Sequence, residues 1–333
     1  MKLEKKIVLR CDGGVQIGWG HIMRCLHLSQ WLKGKHKLYY VINQDAAISE
    51  FIKKKGFPVF EISERQDEAK YEEKVLNTIL ALEPHMVIND ICNTTSTYMQ
   101  TFKSKNIKMV NFDDTSNNAK MAQVVVDANR KEKEGKCFGP SFIVLSSLYA
   151  KLSKKVRTIR KKVRTIVVTL GGSDPNNLTE KTLRALEKKV PKHIEIQVIL
   201  GSSYQFKQCL EKWTYVENIV FFENVNDVSV FLLNADIAVV GGGITMYESL
   251  CVGTPTVVLS QNKAQAKNAR RMERKSTVIN LGDGGKISEK KIIRKVTALI
   301  DSFDERKKLS SRAKQAIDGK GIFRVLEQID LCL

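Results

Sequence analysis

The feature that most constrains this chain is an alternation of short apolar runs with amphipathic helical periods. It begins at residue 7 and starts afresh near residue 166. In the first series, strand-like runs fall at 7–10, 38–42, 59–62, 86–88, 108–112 and 124–127, with helical periods at 22–32, 46–55, 68–82 and 95–104. The second series places strands at 166–170, 195–200, 219–222, 237–240, 256–259 and 278–281. Its helices fall at 178–190, 205–213, 228–234, 245–251, 264–274 and 289–300, with two more at 304–317 and 322–329. Short β-rich runs separated by helices predict parallel sheets covered on both faces. Gly56-Phe57-Pro58 and Glu83-Pro84 punctuate the pattern as helix stops. The expectation is an α/β chain of two doubly wound, Rossmann-like domains with an interdomain cleft, where strand C-terminal ends point at ligand. Its 333 residues suffice for two cores. The predicted boundaries are 1–150 for the first domain, 151–164 for a basic linker, 165–320 for the second domain and 321–333 for a C-terminal helix.

Within this pattern the stretch Gly13-Gly14-Val15-Gln16-Ile17-Gly18-Trp19-Gly20-His21-Ile22-Met23-Arg24 joins the first strand to the first helix. A glycine-rich turn there presents backbone N–H groups, backed by the helix dipole, to an anion. It is not a phosphate-cradling P-loop, because His21-Ile22 follows Gly20 where Lys-Ser/Thr is required. Nor is it a dinucleotide fingerprint, because Met23 stands where the third glycine belongs. His21 falls in the first helical turn, where the dipole favours a neutral imidazole able to take a proton from water. Arg24 lies one turn on and opposes the dipole, which suggests an anionic ligand or an acidic partner such as Asp12. On the structural reading His21 is a solvated helix-start residue and Gly18 and Gly20 are turn formers.

Two later loops have the same strand–glycine–helix form. In Gly171-Gly172-Ser173-Asp174-Pro175 the glycines permit close backbone approach, and Ser173 or Asp174 can cap the following helix. In Gly241-Gly242-Gly243-Ile244-Thr245-Met246-Tyr247-Glu248 a pyrophosphate can rest on the amides of Gly242 and Gly243, with the Thr245 hydroxyl adding a donor. Glu248 can accept from both hydroxyls of a ribose, or can be a carboxylate favoured by the dipole. Asn262 and Gln265, after the strand at 256–259, suit a sugar or are loop contacts with solvent. Asn89-Asp90 and Asp113-Asp114 end strands, where they line a sugar pocket or cap turns.

Charge and cysteine usage narrow the classes. The formal net charge is +19, unevenly spread: residues 1–150 carry 22 Lys/Arg against 17 Asp/Glu, and residues 151–333 carry 33 against 19. A Lys-rich solvated surface accounts for this, and without aromatics interleaved in the basic run at 151–164 a nucleic-acid partner is not expected. Seven scattered cysteines with no C-x-x-C argue against a disulfide framework or zinc site and for reduced thiols. The start, Met1-Lys2-Leu3-Glu4, lacks an apolar h-region, and no run reaches the length of a membrane span, so a cytoplasmic location is expected.

Three motifs in this order, Gly18-x-Gly20-His21-x-x-Arg24, Gly171-Gly172-Ser173-Asp174-Pro175 and Gly241-Gly242-Gly243-Ile244-Thr245-x-x-Glu248, resemble the hydrolase of the pseudaminic acid pathway, which cleaves UDP from a diacetamido-trideoxy-hexose. Asp12-Gly13-Gly14, Val87-Ile88-Asn89-Asp90, Val110-Asn111-Phe112-Asp113-Asp114 and Gly139-Pro140 are similar to the related spore coat polysaccharide biosynthesis proteins. More distantly the chain resembles the GT-B glycosyltransferases that build peptidoglycan precursors. The resemblance spans about residues 7–282. It implies a GT-B-like architecture with UDP on the C-terminal domain, and metal-independent attack by water at the anomeric carbon. It further implies that His21 activates that water, that Glu248 holds the ribose, and that Gly242 to Thr245 hold the phosphates. Asp90-Ile91-Cys92 departs from the hydrolase's Asp-His-Tyr, and Asn262 and Gln265 are displaced from its Asn-Gln pair. The expected protein is therefore a monomeric nucleotide-sugar hydrolase without cofactor. Its catalytic residues are His21, Asp12 and Arg24, and its substrate residues are Gly18, Gly20, Asp90, Gly171, Gly172, Ser173, Gly242, Gly243, Thr245, Glu248, Asn262 and Gln265. A glycosyltransferase on the same scaffold is the alternative, and a non-catalytic nucleotide-sugar-binding component a further one.

Overall fold

The structure is a computed structural model that describes residues 4–14, 17–63, 67–187, 189–223, 225 and 227–333. Val15-Gln16 of the first glycine loop, and Met1-Lys2-Leu3 at the start, lie outside the described residues. The chain divides into two compact units: Met1–Val144 together with Lys320–Leu333, and Leu145–Gly319.

The first unit is built on β1 (Lys5–Cys11), β2 (His36–Asn43), β3 (Val59–Ile62), β4 (Met86–Asp90), β5 (Lys108–Phe112), β6 (Val124–Asp127) and β7 (Cys137–Phe138). They form one sheet in the order β3-β2-β1-β4-β5-β6-β7, every pair parallel. The chain winds outward from β1 to β3 and then restarts beside β1 with β4. That reversal leaves a crevice beyond the C-terminal ends of β1 and β4, where open α/β sheets hold ligands. Helices α1 (Gly20–Leu32), α2 (Ala46–Lys54), α3 (Glu68–Ala81) and α4 (Ser96–Ser104) make the crossovers. The apolar stripe expected on α1 is buried: Ile22, Leu26 and Leu32 enter the core, and Ser29, on the same face, hydrogen-bonds the Tyr40 hydroxyl at 2.6 Å.

The second unit repeats the plan. It opens with α5 (Leu148–Leu152) and continues with β8 (Thr165–Thr169), α6 (Leu178–Leu186), β9 (Glu195–Leu200), β10 (Ile219–Glu223), α7 (Ser229–Asn234), β11 (Ile237–Val240) and α8 (Ile244–Val252). It ends with β12 (Thr256–Ser260), α9 (Lys263–Arg274), β13 (Ile279–Asp283), α10 (Glu289–Asp301) and α11 (Phe303–Ala316). The parallel sheet runs β10-β9-β8-β11-β12-β13, so its reversal lies between β8 and β11. The period read at 205–213 is a 3-10 helix over Lys207–Trp213 rather than an α-helix.

Two elements depart from the sequence reading. The C-terminal helix, set apart as 321–333, is α12 (Gly321–Cys332) and joins the first unit, where Ile322, Val325, Leu326 and Ile329 lie in its core. Close backbone packing requires a glycine at its start, because a Cβ on Gly321 would lie 2.1 Å from the Ile143 carbonyl oxygen. The basic stretch 151–164 is part of the second unit and is held by arginines. The fully buried Arg306 donates to the carbonyls of Arg160 and Lys161, Arg157 donates to those of Leu232, Leu233 and Ala235, and Arg160 pairs with Asp236 at 3.1 Å. These cations satisfy carbonyls and a carboxylate of the fold rather than an external anion.

Candidate active site

The glycine loop after β1 is shaped by contacts that exclude side chains. A Cβ on Gly13 would strike Ile48 and Ile22 at 2.6 and 2.7 Å. Gly14 and Gly18 exchange backbone hydrogen bonds at 2.7 and 3.3 Å, and Gly18 has φ +88°, which favours glycine. Gly20, at the start of α1, meets nothing within 4 Å on its Cβ side. Among the described residues, no side chain caps α1 and no acid stands in its first turn, which favours an anion at that helix N-terminus.

Parallel pairing brings Cys11 of β1 beside Asp90 of β4, and that register sets the charges of the site. Asp90 is fully buried. It accepts from His21 Nδ1 at 2.6 Å and from Arg24 Nε at 2.6 Å and Nη2, while Arg24 Nη1 donates to Asp113 Oδ2 at 2.6 Å. The Arg24 guanidinium also lies 4.9 Å from the centre of the Phe112 ring. Burial raises the Asp90 carboxyl, but Arg24 and His21 outweigh it and hold the group at about 2. Burial likewise lowers the His21 imidazole, but the Asp90 charge and its hydrogen bond prevail and raise it to about 10. The neutral ring expected from the dipole is therefore overturned. A helix terminus is worth about 0.3–1 kcal/mol, less than a direct charge-assisted hydrogen bond in a poorly hydrated site. With Nδ1–H committed to Asp90, Nε2 is the nitrogen left to exchange a proton with a ligand. The His21 side chain is 21% exposed.

The acidic partners of Arg24 are Asp90 and Asp113, not Asp12. Asp12 lies under the loop as the counter-ion of the buried Arg10, which donates to both of its oxygens and at 3.1 Å to the Tyr71 hydroxyl. Asp12 also accepts the Asn43 amide at 3.1 Å, and the Asn43 side chain in turn makes two 3.0 Å hydrogen bonds to the backbone of Gly13. Through Arg10 and Asn43 it anchors the loop. Asp127, which ends β6, is raised to about 6 by burial and by the charge of Asp113.

In the second unit, the loop after β8 turns on Gly171 (φ +103°), and the backbone of Gly172 lies so close to Gly201 that a Cβ there would be 2.2 Å from the Gly172 carbonyl oxygen. Asp174 caps α6, accepting from Leu178 N at 2.9 Å and Thr179 N at 2.7 Å; Ser173 is buried beside it. The loop after β11 runs Gly241, Gly242 and Gly243 into α8, which has no side-chain cap and no acid in its first turn. Thr245 stands in that turn. Glu248, one turn further in, is raised to about 7 by burial, against the Tyr149 phenol and with the help of Asp227.

The residues expected to touch a sugar after β12 have scaffold partners instead. The Asn262 carbonyl caps α9 by accepting Gln265 N at 2.9 Å. Gln265 Oε1 accepts both Gly242 N and Gln261 N at 3.0 Å, so the Gly242 amide, expected to face a phosphate, is taken. The Gln261 side chain continues the chain of amides to the Leu170 carbonyl at 3.0 Å and to Asp174 at 2.6 Å. Among the described residues, no group of three or more His, Cys, Asp or Glu side chains is arranged to hold a metal ion, and no helix is long and apolar enough to cross a membrane.

Two parallel-sheet, Rossmann-like units of this order define the fold of the GT-B glycosyltransferases. Solved structures that share it include MurG of Acinetobacter baumannii, with a TM-score of 0.69, 14% identity, and 98% of this chain and 99% of that one covered. Another is the spinosyn rhamnosyltransferase SpnG complexed with thymidine diphosphate, with a TM-score of 0.67, 14% identity, and 97% and 100% covered. At these identities the likeness is one of fold. Residues 165–324 match the Glycosyltransferase family 28 C-terminal domain. In sequence the chain is homologous to the spore coat polysaccharide biosynthesis protein SpsG of Bacillus subtilis (strain 168), 28% identical over 327 residues that cover 94% of each.

Proposed function

We propose that the protein transfers a sugar from a nucleoside diphosphate, UDP in the first instance, in the assembly of a surface polysaccharide. The observation that carries this reading is the His21–Asp90 pair at the start of α1. Asp90 orients the ring and stabilises its charged form, so Nε2 accepts the proton of an attacking hydroxyl as oxygen bonds to the anomeric carbon. The bond from that carbon to the diphosphate breaks and its electron pair leaves with UDP; in the second unit, taken by itself, the N-terminus of α8 and the Thr245 hydroxyl suit a diphosphate. Glu248 holds the ribose. General base catalysis of this kind contributes about 10²–10⁴ in rate. Support comes from the family 28 match over the second unit and from a relative that serves polysaccharide biosynthesis.

The attacking hydroxyl is that of an acceptor sugar in the reading that the fold and the family 28 match favour. Water is the attacking group in a second reading, favoured by the Gly18-x-Gly20-His21 motif that resembles the UDP-sugar hydrolases. Incubation of the protein with UDP-linked acetamido sugars, with and without polysaccharide fragments, tests both by NMR. UDP release only with acceptor establishes transfer, release without it establishes hydrolysis, and tight binding without turnover over hours removes both. Because the free imidazole titrates near 10, kcat/KM should keep rising with pH through neutrality as the ring loses its proton.

A further inference from the structure

The three glycines ahead of α8 look at first like room cleared for a ligand, yet what approaches them is chiefly one residue of the same unit, Gln265, through both its backbone and its side chain. A Cβ on Gly242 would lie 2.6 Å from the Gln265 carbonyl oxygen and 3.0 Å from its Cβ. On Gly241 it would be 3.4 Å from Gln265 Oε1, and on Gly243 3.6 Å from Nε2. Gln265 itself is fixed from both ends: its backbone amide is held by the Asn262 cap, and its Oε1 accepts from Gly242 N and Gln261 N. Through the Gln261 side chain the same chain of amides reaches the Leu170 carbonyl and the Asp174 carboxylate, so the loops after β8, β11 and β12 are joined by hydrogen bonds.

We propose that Gln265 is a positioning residue for the diphosphate: its amide oxygen sets the glycine turn so that the remaining N–H groups at the start of α8 converge on a phosphate. This rests on the reading that the second unit binds the nucleoside diphosphate. A preformed, uncharged acceptor suits that task, because a carboxylate in its place would repel the ligand and a missing acceptor would leave Gly242 N and Gln261 N unpaired when the ligand buries them. The glycine turn is therefore as much a requirement of Gln265 as of any ligand.

The test is binding of UDP and of uridine to the full chain, by calorimetry for the first and NMR titration for the second. Gln265→Met keeps the length of the side chain and removes the acceptor. It should weaken UDP about ten-fold, the worth of one well-placed hydrogen bond, and leave uridine unchanged. Gln265→Asn, polar but one methylene too short to reach both amides, should do the same and serves if the methionine variant melts early. An equal loss for UDP and uridine would make the residue merely structural and overturn the proposal. So would unchanged or tighter UDP binding, which would mean that the side chain competes with phosphate for Gly242. A wild-type protein that does not prefer UDP to uridine would instead overturn the nucleotide-binding reading itself.

Discussion

The two units share a sheet order and a glycine turn after their first strand, but they furnish that turn in opposite ways. In the first unit the crevice is charged: His21 and Arg24 face Asp90 and Asp113, and a second buried pair, Arg10 with Asp12, lies beneath. In the second the loops are tied mainly by amides: Gln261, Asn262 and Gln265 join them, the Asp174 carboxylate is occupied as the cap of α6, and Glu248 is raised to about 7 by burial. One fold thus supports two kinds of site. Charges held in fixed geometry can move a proton, whereas uncompensated amide dipoles at a helix start can receive an anion without a counter-charge already in place.

The sharpest way to break this comparison is at His21. His21→Asn should lower kcat by about 10²–10⁴ while UDP affinity stays within about two-fold of wild type, since the phosphate contacts are assigned to the other unit. Loss of UDP binding in that variant, or full turnover, would end the division of labour.

Next in size is Asp90→Asn, which leaves Arg24 buried with half its partners. Breaking a buried pair costs about 3–5 kcal/mol, and this should be seen as a lower midpoint in denaturant. The pH dependence carries the same information with a definite sign. Asp90 is depressed to about 2 from its ordinary value of 3.8, so its stabilisation is complete above about pH 4 and is lost as pH falls toward 2. His21 is raised from 6.5 to about 10, so its contribution is complete below about pH 6.5 and is lost as pH rises through 10. The variant should flatten both limbs.

Which parts of this were legible in the sequence follows from the range of the interactions. Strand runs and helical periods are local, so the alternation located all six expected strands of each series, and the buried face of α1 could be read from Ile22, Leu26 and Leu32. The two-residue β7 and the five-residue α5 are too short to carry a period. The place of α12 depends on a contact across most of the chain. The motifs single out His21 and Glu248, but the partners of the charges are not legible: nearness in sequence offers Asp12 as one alternative partner of Arg24, whereas Asp12 pairs with Arg10. The strand order held the answer. Once β4 is set beside β1, the last residue of each lies at the same level, and Asp90 becomes the neighbour of whatever α1 presents.

The amide-tied unit is sharpened by Glu248. Its carboxyl is raised to about 7, so at pH 6 it is mostly protonated and cannot accept from both hydroxyls of a ribose. UDP affinity should therefore rise between pH 6 and 8, by roughly ten-fold at most if one proton is released, and be flat in Glu248→Gln. The sign for stability is the reverse: ionising a carboxyl raised above its ordinary 4.5 costs the fold, so the free protein should lose stability as pH climbs from 4.5 through 7. A UDP affinity that falls over the same interval would show that the ribose is not held by a carboxylate.

The smallest effect belongs to the backbone of the charged unit. Gly18 has φ +88° with open space where a Cβ would go, so Gly18→Ala meets no clash and pays only for the left-handed conformation, about 1–2 kcal/mol. Because Gly18 holds Gly14 across the turn, that cost should appear in kcat, through the placing of His21, more than in UDP affinity. The corresponding change in the amide-tied unit, Gly242→Ala, is of another kind: a Cβ there lies 2.6 Å from the Gln265 backbone and must displace it. Kinetics and UDP titrations on this pair of alanines should therefore separate the units once more. The first should act on turnover and the second on binding, and a shared phenotype would mean that the two glycine turns serve one task.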